Sequence, residues 1–524
     1  MPRALAAMAR RFPLLMALAA AAFALAPPAG AESGPADPVV RVSGGKIKGM
    51  REDGVFTFRG VPYAAAPVGA RRWAPPAPVK SWRGVRMAKK IGAACIQNPA
   101  LSAANGGDPG PISEDCLFLN IWTPKLDRNA KLPVVVWIHG GGFVFGSGGV
   151  KGYSGAPSAK KGVVFVSINY RLGALGFFAH PSTVSRNGGA MNFGLLDQVA
   201  ALEWVQANIA NFGGDPSNVT IMGQSAGAKS VMAHIASPLS RGLFHKGVAM
   251  SAYVLPDASR EKAGEVAAAV ARAVGLDGAK ASLEELQRIP AHMFAEIDDP
   301  AAALGPTPIA GDTMTPKPIA EVFRNGDEAP VPLIMGSTSD DASVIPAFGV
   351  DPAEVIEQLG AADVGLKLLY PNLTKEERAR QALRDIVFTM NPRWVADNHA
   401  KRAPTWRYYF DYVAEKDRPA LMQGAPHGYD VAFLLDTLDY IGAGAADYTP
   451  ADKAIAAKLS GYLISFARTG APSSPDGPDW PNDAGLRDVS LVAENSGVRA
   501  ARNFLTLRLN ILIASAKVID TSVN

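Results

Sequence analysis

Three almost unbroken apolar runs stand out along the chain: Val134-Val-Val-Trp-Ile138, Val163-Val-Phe-Val-Ser-Ile168 and Val219-Thr-Ile-Met222. A strand wetted on one face alternates apolar and polar residues, whereas one covered on both faces reads as a continuous apolar stretch. Between the last two runs, Leu195, Leu196, Val199, Leu202, Val205 and Ile209 recur with the helical period. Strand, helix, strand in that order predicts a mostly parallel sheet covered by helices, the α/β class. A fourth short run, Val331-Pro-Leu-Ile-Met335, also reads as a strand. It leads into Gly336-Ser-Thr-Ser-Asp-Asp-Ala-Ser343, a small, polar, turn-prone segment. No internal repeat is present, and the Pro- and Gly-rich stretches are short punctuation rather than one linker.

The pattern at the N-terminus is of another kind. Arg3, Arg10 and Arg11 precede an apolar stretch from Phe12 to Ala26, then Pro27-Pro28 and Ala29-Gly30-Ala31. A basic start, a short apolar segment and an A-x-A site form the pattern of a signal peptide, so residues 1–31 are expected to be removed and 32–524 to fold as one domain. The apolar stretch is shorter than the roughly 20 residues that span a bilayer. An Arg pair is compatible with twin-arginine export, and the exported chain would lie in the periplasm or outside the cell. The formal net charge is +4, and it falls to +1 without those three arginines, so the charge does not point to nucleic acid or an anionic membrane surface. Export changes the reading of the two cysteines, Cys95 and Cys116, which are most simply a disulfide in an oxidising compartment.

The third apolar run enters Gly223-Gln-Ser-Ala-Gly227 and then a helical segment. A serine on a sharp strand-to-helix turn needs small neighbours, and its Oγ lies at the positive end of the helix. The first run enters His139-Gly-Gly-Gly-Phe143. Glycines there let backbone N–H groups come close to a developing oxyanion, and such a loop is known to pair with the N–H after the serine, which gives Gly141, Gly142 and Ala226 as candidate donors. Of seven histidines, five follow Ser225: His234, His245, His292, His399 and His427. His234 and His245 lie close after it, and His399 sits in a helical run. His427, in the loop Gly424-Ala-Pro-His-Gly-Tyr-Asp430, is the candidate base. In the arrangement that pairs such a serine turn with such a glycine loop, the chain order is Ser, then Asp or Glu, then His. The acid should then lie between 225 and 427 after a strand, where Asp340 and Asp341 sit side by side; spacing alone does not separate them.

These segments, with Phe58-Arg-Gly-Val-Pro-Tyr-Ala64, Pro67-Val-Gly-Ala-Arg-Arg-Trp-Ala-Pro75, Ser113-Glu-Asp-Cys-Leu-Phe-Leu-Asn120, Asn169-Tyr-Arg-Leu172, Asn211-Phe-Gly-Gly-Asp-Pro216, Phe466-Ala-Arg-Thr-Gly470 and Trp480-Pro481, resemble the type-B carboxylesterases. That family is the cholinesterase-like and para-nitrobenzyl esterase-like branch of the α/β-hydrolases. The resemblance implies the α/β-hydrolase fold with large inserted helical regions around the active site. It also implies a Cys95–Cys116 disulfide and a serine esterase that uses no metal or organic cofactor. Aligned on the family segment G-T-N-x-D-E-G, Asp341 takes the position of the catalytic Glu. The implied triad is Ser225, Asp341 and His427, with activity falling at acid pH as the imidazole gains a proton. Ser251 matches a family serine near the triad.

The chain departs from the family at several points. Asp341 is one methylene shorter than Glu. Gln224 stands where cholinesterases carry Glu, and the segment between the cysteines has no Trp, which argues against choline esters. Phe143, Phe145, Phe388 and Trp394 are aromatics that could line an apolar pocket, with core packing the default reading. The substrate implied is a small-molecule ester. The competing readings are a specialised hydrolase of carbamates, amides or large natural-product esters, and a non-catalytic binding relative.

Overall fold

The computed structural model describes residues 37–105, 107–253, 256–297, 307–352, 354–355, 362–441, 444–483 and 488–522. The expected signal peptide lies outside them. In chain order the strands are β1 (Val39–Val42), β2 (Gly45–Lys48), β3 (Met50–Glu52), β4 (Val55–Pro62), β5 (Val85–Met87), β6 (Phe118–Thr123), β7 (Leu132–Ile138), β8 (Val164–Ile168), β9 (Gly214–Gln224), β10 (Lys246–Met250), β11 (Leu333–Thr338), β12 (Thr405–Phe410), β13 (Val489–Glu494) and β14 (Gly497–Arg502). Eleven of them form one sheet in the order β14-β13-β12-β11-β10-β9-β7-β8-β6-β4-β3, while β1, β2 and β5 form a small separate sheet. The large sheet is parallel from β8 through β13 and antiparallel at both edges.

The unbroken apolar runs have the cause that their pattern predicts. Val134, Val136 and Ile138 of β7 join one buried cluster, and Val135 and Trp137 join the other. The same alternation divides Val164, Val166 and Ile168 from Phe165, and Leu333 and Met335 from Ile334. Each face is covered by a long helix: α1 (Phe193–Asn208) supplies Leu195, Val199, Leu202 and Val205 to the first cluster. Later in the chain, Ile455, Leu459, Leu463 and Phe466 of the helix Pro450–Thr469 supply the second. The elements expected from sequence are present with moved boundaries. The strand expected at 219–222 extends from Gly214 to Gln224, and the one expected at 331–335 begins at Leu333 and continues through Gly336, Ser337 and Thr338. Parallel pairing with β12 carries that last strand through its small polar residues, which local apolarity could not reveal.

Cys95 and Cys116 are bonded, 21 residues apart. Among the described residues no helix is long and apolar enough to cross a membrane.

Helix α2 (Ala226–Ala236) follows β9 and is buried along its whole length. Its His234 accepts from or donates to Ser240 Oγ at Nδ1 and to Gln198 Oε1 at Nε2, each at 2.8 Å. Because the Gln198 oxygen can only accept, Nε2 carries the proton, and Ser240 Oγ–H donates to Nδ1. Burial pushes the imidazole down from 6.5 to about 3. The unfolded chain therefore binds one more proton than the folded chain between those values, so this site costs stability as the pH falls through that window.

Two stability predictions follow from this framework. Replacing both cysteines with serine is expected to cost about 3 kcal/mol in urea unfolding, from the loop-closure entropy returned to the unfolded chain. Relative to His234→Gln, which cannot titrate, the wild type is expected to lose stability as the pH falls from roughly 6 to 4, by about 1 kcal/mol per pH unit.

Candidate active site

The end of β9 delivers Ser225 on a turn whose geometry most residues avoid. Ser225 has φ 57° and ψ −121° and is 9 % exposed. The flanking glycines are required by space. A Cβ on Gly227 would lie 2.1 Å from the Ile138 carbonyl oxygen, and one on Gly223 would lie 2.4 Å from the Gly227 carbonyl carbon. The turn thus packs backbone to backbone against the end of β7, and an added methyl at either position would force it apart.

That packing brings the loop after β7 onto the serine. A Cβ on Gly140 would sit 3.2 Å from Ser225 Cβ. Gly141 and Gly142 have φ 98° and 58°, and the loop closes through Val144 and Phe145 N–H groups donating to the Gly141 oxygen. Ala226 N–H opens α2 and has no carbonyl one turn back to accept it. The loop is held from behind by His139, whose Nδ1–H donates to the Gly140 oxygen at 2.8 Å. Its ring stacks on Tyr170, whose hydroxyl donates to the His139 oxygen. Burial pushes His139 down to about 4, so it stays neutral and serves as scaffold.

His427 arrives from the loop after β12. Its Nδ1 lies 2.8 Å from Asp341 Oδ1, with the aspartate buried and the imidazole partly so. A carboxylate only accepts, so Nδ1 carries the proton. The other Asp341 oxygen accepts from Thr338 N–H at 2.7 Å and from Ser251 Oγ–H at 3.0 Å. Asp341 thus has three donors on two oxygens. The shorter side chain is accommodated because the two loops are laced together. Asp340 N–H donates to the Ala425 oxygen at 2.9 Å, Ala425 N–H to Ser339 Oγ at 2.8 Å, and His427 N–H to Ser343 Oγ at 2.9 Å. The Asp340 carboxylate turns away from the histidine and accepts from both Nε–H and Nη2–H of Arg380. Structure therefore separates the adjacent aspartates: one faces the imidazole, and the other ties the turn to the helix Lys375–Arg384.

Nε2 of His427 takes an unexpected partner. It lies 3.0 Å from Gln224 Nε2, and Ser225 Oγ makes no side-chain hydrogen bond to it. Phe388 packs its ring 5.0 Å from the imidazole, on a single π-helical turn, Asp385–Thr389. Such turns insert an extra residue and re-aim side chains. Asp430, three residues after His427, accepts from Tyr408 Oη–H at 2.7 Å. Its other oxygen is buried without a partner, and burial, reinforced by the Asp341 charge, pushes its carboxyl up to about 7.

Of the residues singled out from sequence, Ser225, the 139–142 loop, Asp341, His427 and Ser251 converge here. His399 is buried against Glu328 and the Val331 oxygen, and His245 accepts from Val219 N–H. Phe143 packs on Tyr170 and Phe177, and Trp394 is partly buried against the core, so neither is offered to a pocket by the contacts it makes. The roles of Gln224, Ser343, Phe388 and Asp430 at the histidine were not foreseen. A His-x-x-Asp spacing is too common to flag Asp430, and the other three come from segments far apart in the chain. Among the described residues no group of three or more His, Cys, Asp or Glu is placed to hold a metal ion.

A model of the carboxylesterase family matches residues 36–368 and 370–502. The chain is 34 % identical to a fumonisin B1 esterase of Sphingopyxis macrogoltabida, over 83 % of this chain and 83 % of that protein. It is 32 % identical to a para-nitrobenzyl esterase of Bacillus subtilis (strain 168), over 84 % and 92 %. The crystal structure of a Geobacillus stearothermophilus carboxylesterase superposes with a TM-score of 0.77 at 32 % identity, covering 90 % of this chain and 99 % of that one. The large, mostly parallel sheet with its covering helices is the α/β-hydrolase fold, as in that neighbour. This chain belongs to the carboxylesterase family and is a carboxylic ester hydrolase.

Proposed function

We propose that the chain is an exported serine esterase that cleaves carboxylic esters through an acyl-enzyme on Ser225. The observation that carries this reading is the His427–Asp341 contact of 2.8 Å beside a serine held at φ 57°. In the first step His427 Nε2 takes the serine proton while Oγ bonds to the ester carbonyl carbon. The negative oxygen is held by the N–H groups of Gly141, Gly142 and Ala226. As the tetrahedral intermediate collapses, the carbon–alkoxy bond breaks and His427 gives its proton to the departing alcohol. Water then repeats the sequence on the acyl-enzyme, its proton passing to His427 and back to Ser225 as the carboxylic acid leaves. Asp341 keeps the imidazole in the tautomer whose Nε2 can accept. No step requires a cofactor.

Export is supported by the basic, apolar N-terminal pattern and by a formed disulfide, which persists in oxidising compartments. The names of the relatives specify different esters, so the acyl and alcohol groups taken by this chain are for a panel of chain lengths to decide.

Ser225→Ala is expected to abolish release of p-nitrophenol from a short-chain ester. Asp341→Asn is expected to lower kcat by roughly 10³–10⁴ with the fold intact, because the amide mis-sets the histidine tautomer. Asp340→Asn, which faces Arg380, should do far less; an exchange of the two phenotypes would move the orienting role to Asp340. Mass spectrometry of the exported protein should find its N-terminus at Glu32, and retention of Met1 would refute processing.

A further inference from the structure

We infer that Gln224 is a positioning residue that sets the acid limit of the base: its carboxamide holds His427 neutral by donating to the Nε2 lone pair that must receive the serine proton. The inference rests on the reading of Ser225 as nucleophile and His427 as base.

The donor direction follows from the partners. Asp341 fixes the proton on Nδ1, so Nε2 is an acceptor, and the atom facing it at 3.0 Å is the Gln224 amide nitrogen. The amide is confined. Gln224 is 7 % exposed, at the end of β9 where it pairs with Met250. Gly140 lies on one side, where a Cβ would be 2.8 Å from Oε1, and Gly428 lies on the other, where a Cβ would be 3.2 Å from Nε2. Both neighbours are glycines, and the carboxamide fills the space that their missing side chains leave. It therefore bridges the oxyanion-loop glycines and the histidine loop.

A hydrogen bond donated to neutral imidazole is lost when the ring gains a proton, because N–H then meets N–H. Such a bond favours the neutral form. The charged groups facing His427 act the other way. Asp341, on the turn after β11, and Asp430, on the short helix after the histidine loop, both favour imidazolium when ionised. Tyr408 of β12 faces Asp430 through its hydroxyl, and Phe388 of the π-helical turn is apolar. Gln224 is thus the neutral group set against two carboxyls. During turnover the Ser225 hydroxyl must replace the amide at Nε2, so the amide also holds the lone pair until the serine turns toward it.

Two near-isosteric variants test this. Gln224→Glu replaces the donor with a carboxylate that favours the charged ring, and Gln224→Met removes the donor and adds no charge. The measurements are the pH dependence, from about pH 4.5 to 9, of kcat/KM on p-nitrophenyl acetate and of Ser225 sulfonylation by phenylmethanesulfonyl fluoride. The second readout needs no ester turnover. The acid limb is expected to move up by about one pH unit or more in Gln224→Glu and by a smaller amount in Gln224→Met. Thermal unfolding verifies that both variants are folded. Should the acid limb of folded Gln224→Met coincide with that of wild type while Ser225 is labelled, the inference is wrong whatever Gln224→Glu does, and the catalytic reading stands. Should wild-type Ser225 be neither labelled nor active, the catalytic reading fails, and this inference fails with it.

Discussion

Everything in the site depends on a contact between two stretches of bare backbone. Gly223 and Gly227 bracket Ser225, and the Ile138 and His139 carbonyls press into the space where their side chains would be. A strained serine, at a cost on the order of 1–3 kcal/mol, persists only where its surroundings over-determine it. Here the parallel pairing of β7 with β9 does so, since it aligns Ile138 with Gly223. The same contact places the glycine loop beside the serine. Ser225 and the 139–142 glycines thus leave the adjacent carboxyl ends of one parallel strand pair.

The histidine is held differently. Its loop and the aspartate turn leave neighbouring strands β11 and β12 and are joined by hydrogen bonds through Ser339, Asp340, Ser343 and Ala425. Rigid pairing below and side-chain lacing above hold the Asp341 carboxylate within 2.8 Å of His427 Nδ1. Asp340 is a structural partner in this arrangement, because its pairing with Arg380 anchors the turn to a helix outside the sheet.

Several buried ionisable groups support this framework, held neutral by burial or paired with an opposite charge. His139 and His234 are kept uncharged by burial, and each donates its ring proton to a neutral oxygen. Asp430 is pushed toward its protonated form by burial and by the Asp341 charge. Arg171 is buried but paired in two-pronged fashion with Asp197, which fastens the loop after β8 to α1. The site combines a low-dielectric interior, which strengthens its hydrogen bonds, with few uncompensated charges.

The sheet, its parallel sense, the serine turn and the glycine loop were legible in the sequence, because each depends on local matters: apolar continuity, helical period, and glycines where a side chain cannot fit. Asp341 was legible only through a family pattern, since Asp340 and Asp341 have the same chemistry and differ by one residue in register. The tertiary structure separated them, because strand β11 runs on to Thr338 and thereby turns Asp341 inward and Asp340 toward Arg380. It also decided what no local pattern could carry: that Gln224, 203 residues before His427, lies against its free nitrogen, and that a π-helical turn aims Phe388 at the same ring. Those contacts join segments far apart in the chain, and only the pairing of β9, β10, β11 and β12 across the sheet brings the ends of those strands to one place.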